Sequence, residues 1–515
     1  MSETRVNLLV GLLKYEPGWE TLLNQIGTPW EMIKSLPEIS PSSYSIIIIN
    51  KVPEKNEKEI IERFLSNGGS ILTEFKSGKI FIKEKLRRKK ISSLLPSENQ
   101  FQTFDLLDIY NRCIIKGNKA VTVLKSGDSG TIAQIPFPVN EVFTRVIAKR
   151  KNFYFTSERL PNEIVRLQSL GAVRRLIFSV IEYLHHIRGF PFIHKWFFPG
   201  NASSVFTFRM DSDKGSQDEI EALYKLFDRY DIPAVWFLDV KSHESWIKYF
   251  QKFYNQEIGI HCYEHLSFKS FEKNFNNFLR AAEILKQNNI EYKGFAAPNG
   301  KWNYSINEAG EKIGFSYSSE FGFDYDNFPS YPWISERFSS ILQLPVHPVC
   351  AGSMRRVQFS KNQMIDYFTR YIDKQITLSE PVCLYHHPTH HYNDVFESVF
   401  GYINRQNIIK FSYSQYSGWW KKRLSPELKF TWDSMLQNLY AEISNGDRDV
   451  WYRISTPNSK ETISPLNNGE FSLSSFNLTE HKKTFKSPSG LSRIRKFDWR
   501  HISYNILDHW YSKKP

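Results

Sequence analysis

Short apolar runs that end abruptly in polar residues, alternating with amphipathic stretches, recur along most of the 515-residue chain. From Arg5 to about Arg188, Val6 to Leu13 and Tyr44 to Asn50 read as buried parallel strands. Glu54 to Ser66 has helical spacing and is followed by Gly68-Gly69 and a further strand, Ser70 to Thr73. This order predicts a doubly wound α/β domain over residues 1–190. A long helix is expected over Leu160 to His186, and the aromatic, proline-bounded stretch Gly189 to Asn201 connects to the next segment. There the strand signal repeats at Val205–Arg209, Ala234–Val240, Ile258–His261, Tyr292–Ala297, Phe315–Ser319, Leu342–Val346, Pro381–His386 and Ile408–Ser412. Helical patterns such as Phe271 to Gln287 and Asn362 to Lys374 lie between them. The series predicts a distorted (β/α) barrel over 191–424, closing in a helix at Gln415 to Leu424. Beyond Ser425 the runs become short and alternating, which predicts a small β-rich, sandwich-like C-terminal domain over 425–515.

The polar ends of two of these runs carry the candidate chemistry. F-T-F-R-M-D-S-D-K-G (Phe206 to Gly215) delivers Asp211 and Asp213 to the C-terminal end of a strand, and Ser216 with Glu219 three residues later forms a capping box that opens a helix. E-I-G-I-H-C-Y-E-H ends in His261 and His265. Spaced i, i+4, they face the same way if the segment is one helical turn, and neutral imidazoles so placed can share a metal ion. Asp213 is the natural third ligand, because a carboxylate with two imidazoles leaves open positions for water.

These motifs resemble the polysaccharide deacetylases of carbohydrate esterase family four, also called NodB-like, over roughly residues 203–423. T-F-R-M-D-S-D-K-G is similar to the family's first motif, and H-C-Y-E-H to its second, with Cys262 in the hydroxyl position. Ala296-Ala297-Pro298-Asn299-Gly300 is similar to its third, keeping Pro and Gly but not the arginine. P-V-C-L-Y-H-H-P (Pro381 to Pro388) is similar to its last, a strand ending in L-x-H. That spacing selects His386, whereas strand alternation and the following proline favour His387, the preferred assignment.

The resemblance implies a NodB-type barrel and a metal-dependent deacetylase of N- or O-acetylated sugars. Its implied cofactor is a divalent ion, with Zn²⁺ first among the candidates. Asp213, His261 and His265 would bind the ion, Asp211 would be the general base, and His387 or His386 the general acid. Arg209, two residues before Asp211 on the same strand face, is placed to supply the charge missing at Ala296. With Pro298, Asn299, Gly300 and Trp302 it completes the candidate substrate-binding set, and Tyr317 is a candidate wall residue. By the same kind of likeness the first domain looks flavodoxin-like or amidotransferase-like. It carries neither a cysteine nucleophile elbow nor G-x-G-x-x-G, so scaffolding or substrate positioning is its expected job.

Two other readings compete. A catalytically silent barrel would serve as a glycan-binding or assembly module. Alternatively, His386, His387, His390 and His391 of H-H-P-T-H-H would build the metal site, an arrangement that leaves Asp211 and Asp213 without a role.

A formal charge of +13 favours an anionic partner: an acidic or lipid-linked glycan, a nucleotide-sugar, or a membrane surface contacted peripherally. The densest basic run, Lys83 to Lys90, reads as a solvated helix face with no nucleic-acid motif beside it, so nucleic acid is not an expected partner. Cys113, Cys262, Cys350 and Cys383 show no disulfide-framework spacing, which points to a reducing compartment. With no signal-peptide pattern at the N-terminus and no apolar run of spanning length, the expected location is cytoplasmic. The mixed aromatic and basic stretch 494–515 suits an interfacial helix or a packed terminal segment.

Overall fold

In the computed structural model, residues 5–74, 77, 87–94, 101, 107–115, 121–126, 130–155, 158–480 and 506 are described. They fall into two compact units, the first drawn from Met1–Arg145, Gln168–Asn201 and Lys421–Ser487, the second from Val146–Leu167, Ala202–Trp420 and Pro488–Pro515.

The second unit is built on an eight-stranded, all-parallel sheet. Its spatial order is Leu342–Gln343, Tyr317–Ser318, Gly294–Phe295, Glu257–Cys262, Val235–Asp239, Ser204–Asp211 and Val382–His386, with Ile408–Lys410 also pairing to Ser204–Asp211. Every residue of Ser204–Asp211 is buried, as expected of a central parallel strand covered on both faces. Phe206 and Phe208 pack against Phe227, Phe396 and Phe400 of flanking helices, within the unit's main core.

All eight expected strands are present, but those on one side of the sheet are only two residues long. At Gly294 the Tyr317 ring lies 2.2 Å from where a Cβ would stand, so only glycine lets the backbone pass under the ring. The sheet is curled without closing, since no pairing joins Leu342–Gln343 to Val382–His386 or Ile408–Lys410. Helices predicted from apolar spacing appear at Phe271–Gln287, Lys361–Thr377 and Tyr413–Leu424. Gln217–Arg229 starts from the predicted capping box, with Ser216 Oγ accepting from the Glu219 amide and the Glu219 carboxylate accepting from the Ser216 amide.

The expected helix from Leu160 begins only at Leu170. Glu163–Arg166 instead pairs antiparallel with Ala148–Lys151, which takes these residues' backbone groups into a ladder. This correction bears on function, because the hairpin brings Arg150, Glu163 and Ile164 to the cavity described below.

In the first unit, the strands Trp30–Met32, Val10–Leu12, Ile46–Ile49, Ser70–Glu74 and Gly130–Ile135 pair in parallel in that order, and Thr122–Ser126 adds an antiparallel edge. The expected single strand Val6 to Leu13 is split. Arg5–Asn7 pairs with Glu427–Asp433, and only Val10–Leu12 enters the parallel sheet. Strands after residue 424 therefore share a sheet with the N-terminal strand. Arg423 is fully buried here, and its guanidinium donates to the carbonyls of Trp196, Asn24, Gln25, Ile26 and Lys195.

Within the basic run, Arg87–Lys90 belong to the strand Arg87–Leu94 rather than a helix, while 83–86 lie outside the described residues. The 494–515 tail lies outside them too, except for residue 506. No helix among the described residues is long and apolar enough to cross a membrane.

Candidate active site

The carboxyl ends of parallel strands are where an α/β sheet collects polar groups, because the following loops are free of the sheet's hydrogen-bond pattern. Ser204–Asp211 ends at Asp211, and the loop turns at Asp213 through a left-handed backbone conformation, φ +36°. Asp tolerates this better than most residues. Gly215 lies so close to Pro388 that a Cβ would stand 2.9 Å from the proline ring, which packs the aspartate loop against the loop that carries His387.

His261 lies within the strand Glu257–Cys262, and His265 follows in the bend after it. The helical turn expected for this pair is absent; curvature of the loop brings the two rings together instead. Their Nε2 atoms are 3.1 Å apart, and Asp213 Oδ1 lies 3.3 Å from His261 Nε2 and 3.2 Å from His265 Nε2.

This triangle fits a metal ion. A tetrahedral ion with bonds of about 2.0–2.1 Å separates neighbouring ligand atoms by about 3.3 Å. Asp213 Oδ1 is buried and makes no hydrogen bond, although it points at two imidazole nitrogens. The other nitrogen of His261, Nδ1, pairs with the Ala296 carbonyl at 2.5 Å, so it carries the proton and leaves the Nε2 lone pair free. Burial alone would raise the Asp213 carboxyl, yet the three surrounding imidazoles of His387, His261 and His265 hold it well below its usual range.

Asp211 is 3 % exposed and is held from behind by Arg209. The guanidinium donates through Nε and Nη2 to the two carboxylate oxygens at 2.5 Å each, and through Nη1 to the Ser319 carbonyl. Phe237 and Tyr385 flank it at 5.4 and 5.7 Å. Burial pushes the Asp211 carboxyl up, but the Arg209 charge overcomes this and lowers it below the ordinary value. Arg209 is itself wholly buried, so it contacts the carboxylate and not a substrate. Ala296 is likewise buried, and its carbonyl serves His261.

The two candidate acids point to opposite faces of Val382–His386 and the residue after it. His387 Nε2 lies 3.5 Å from Asp213 Oδ2 and 3.9 Å from Asp211 Oδ2. His386 is fully buried against Phe396, and its Nε2 pairs with the His391 carbonyl at 2.7 Å. Burial holds the His386 imidazole well below its ordinary value, so it stays neutral.

Asp211, Asp213, His261, His265 and His387 line one cavity of about 730 Å³. Asn299 and Gly300 line it too, from a turn in which both have positive φ and a Cβ on Gly300 would stand 2.3 Å from the Phe321 ring. Pro298 and Trp302 are not among the lining residues; Trp302 packs with Phe323 and Ile334 in a separate small cluster. Tyr317, a candidate wall residue, is fully buried and donates its hydroxyl to Glu257. Of the four histidines in H-H-P-T-H-H, only His387 and His390 reach the cavity.

Sequence reasoning missed several lining groups. Arg150, Lys301, Arg355 and Arg356 give the cavity a basic rim, and Cys350 lies buried beside His387. No local pattern marks them, because they come from three separate stretches: the strand Ala148–Lys151, the turn after Gly300, and Cys350 with the helix Ala351–Arg356.

Residues 203–318 match the polysaccharide deacetylase family model. The matched stretch contains Asp211, Asp213, His261 and His265, while His387 lies beyond it. Among solved structures, a putative polysaccharide deacetylase from Mycobacterium smegmatis is 14 % identical over 43 % of this chain and 92 % of that one, with a TM-score of 0.37. A family 4 carbohydrate esterase from Streptomyces lividans in complex with acetate is 11 % identical over 41 % and 92 %, TM-score 0.29. A CE4 family pseudoenzyme from Bacillus anthracis is 12 % identical over 42 % and 66 %, TM-score 0.30. A search of curated proteins gave no match.

Proposed function

We propose that this chain is a metal-dependent carbohydrate deacetylase that hydrolyses an N- or O-acetyl group of a sugar. The observation that carries the reading is the convergence in one cavity of a three-donor metal triangle with a buried, arginine-backed carboxylate and an imidazole. A divalent ion held by Asp213, His261 and His265, with Zn²⁺ first among candidates for such N and O donors, would polarise the acetyl carbonyl and ease deprotonation of water.

The chain's own residues supply the proton transfers. Asp211, kept ionised by Arg209, takes the water proton as general base. His387 borders the same cavity beside both carboxylates, and as general acid it protonates the leaving amine or alkoxide. His386, neutral and enclosed, holds the strand end in place. The basic rim supports an anionic substrate, such as a charged glycan or a nucleotide- or lipid-linked sugar. The described cysteines are free thiols, which supports a cytoplasmic setting.

The test is release of acetate from acetylated oligosaccharides by the purified full-length chain, with and without a chelator. Chelator-sensitive release that returns on adding Zn²⁺ is the expected result. Metal uptake and glycan binding without acetate release, across neutral and anionic acetylated sugars, would instead establish the silent, glycan-binding barrel.

A further inference from the structure

Beside the proposed centre lies a second group of metal-donor atoms, built around His387 from two residues, Cys350 and His390, that the deacetylation scheme does not use. Cys350, His387 and His390 each offer one ligand atom, and the three atoms lie within 4.8 Å of one another. Cys350 Sγ is 3.9 Å from His390 Nδ1, and the His387 and His390 rings are 4.4 Å apart between centroids. A tetrahedral ion with one sulfur bond of about 2.3 Å and nitrogen bonds of about 2.0–2.1 Å separates sulfur from nitrogen by about 3.6 Å. The observed spacing therefore closes on an ion with small side-chain adjustments.

The surroundings are built to this shape. His390 rests directly on Gly352, where a Cβ would stand 2.2 Å from Nδ1, so no larger residue admits the ring to this position. His387 turns Nε2 toward Asp213 and Asp211, which leaves Nδ1 for the other side; that atom is buried and makes no hydrogen bond. Arg356, which also borders the cavity, is paired with Glu163 at 3.5 Å. Cys350, Gly352, His387 and His390 all border the cavity, so an ion can enter from solvent.

We propose that Cys350, His387 and His390 form a second metal site, selective for a thiophilic divalent ion of the Zn²⁺ class. One thiolate and two imidazoles form a softer donor set than Asp213, His261 and His265, so the two sites differ in metal preference. Binding releases the Cys350 thiol proton to solvent. Because His387 borders both sites, occupancy of the second one engages the imidazole that faces Asp211 and Asp213. The binding claim itself stands apart from the deacetylase reading.

Cobalt titration of the chelator-stripped, full-length chain tests it. Co²⁺ reports each site by visible absorption and reports a sulfur ligand by a near-ultraviolet charge-transfer band. Two equivalents are expected, one of them bringing the sulfur band. Cys350→Ser should abolish the band and one equivalent, Cys262→Ser should leave both, and Asp213→Asn should remove the other equivalent while the band persists. Should Cys350→Ser fold poorly by circular dichroism, His390→Asn decides, since it removes a ligand without touching the thiol and should weaken the band at least tenfold in cobalt concentration. A single equivalent without a sulfur band, or a band that survives both Cys350→Ser and His390→Asn, overturns the proposal.

Discussion

Replacing Arg209 by Met keeps most of the side-chain length and removes the charge. Arg209 and Asp211 are 0 % and 3 % exposed, and they are joined by two parallel hydrogen bonds of 2.5 Å. Removing one partner of such a pair strands the other charge in the interior, at a cost of about 3–5 kcal/mol. Asp211→Asn strands the guanidinium and should cost a similar amount. The double variant strands neither charge, so it should be more stable than the two single losses add up to, with a coupling energy of at least about 2 kcal/mol. The measurement is urea unfolding of the four proteins in chelator, since bound metal would add its own stabilisation to each. Arg209→Met should keep its metal, because Asp213, His261 and His265 are untouched. It should also lose about 10²-fold in turnover, the effect of a carboxylate displaced by about 1 Å. Additivity of the single changes to within about 0.5 kcal/mol would refute the argument that the two groups exist as a pair.

Further outcomes follow from the same geometry. His261→Ala and His265→Ala should each lose bound metal with the circular dichroism spectrum preserved; stoichiometric metal in both by elemental analysis would show that the ion is held elsewhere. Asp211→Asn should retain metal while acetate release falls by about 10²–10⁴, the usual contribution of a general base. His387→Ala should cut turnover with little change in unfolding midpoint, whereas His386→Ala, which empties a buried position against Phe396, should do the reverse. Glu311 accepts from Arg337, from Ser339 and from the Ser340 amide, and its carboxyl is lowered to about 2. A depressed carboxyl stabilises the fold above its ordinary value of 4.5 and loses that contribution as pH falls toward 2. Glu311→Gln should accordingly flatten acid unfolding between pH 4.5 and 2 by roughly 1 kcal/mol after solvent screening.

Local physics made much of the second unit legible. The run Val205 to Met210 sets Phe206, Phe208 and Met210 on one face and is buried at every position, as in a covered parallel strand, and Ser216 with Glu219 writes the following helix start directly into the chain. Asp211 and Asp213 at a strand end, and His261 with His265, are chemistry that short-range spacing can carry. Tertiary structure decided the rest. The apolar positions Leu160, Ile164, Leu167 and Leu170 fit a helix equally well until pairing with Ala148–Lys151 claims Glu163–Arg166 for a strand. His386 and His387 are adjacent, and only packing against Phe396 on one face and the carboxylates on the other separates their surroundings. Arg209 stands in the sequence as one more basic residue; burial beneath Asp211 gives it a fixed partner, because the low-dielectric interior leaves its charge no other counter-ion so close. Cys350 is 37 residues from His387, and no periodicity links them. Such groupings depend on how loops return to the same sheet edge, a long-range property that no local pattern of residues encodes.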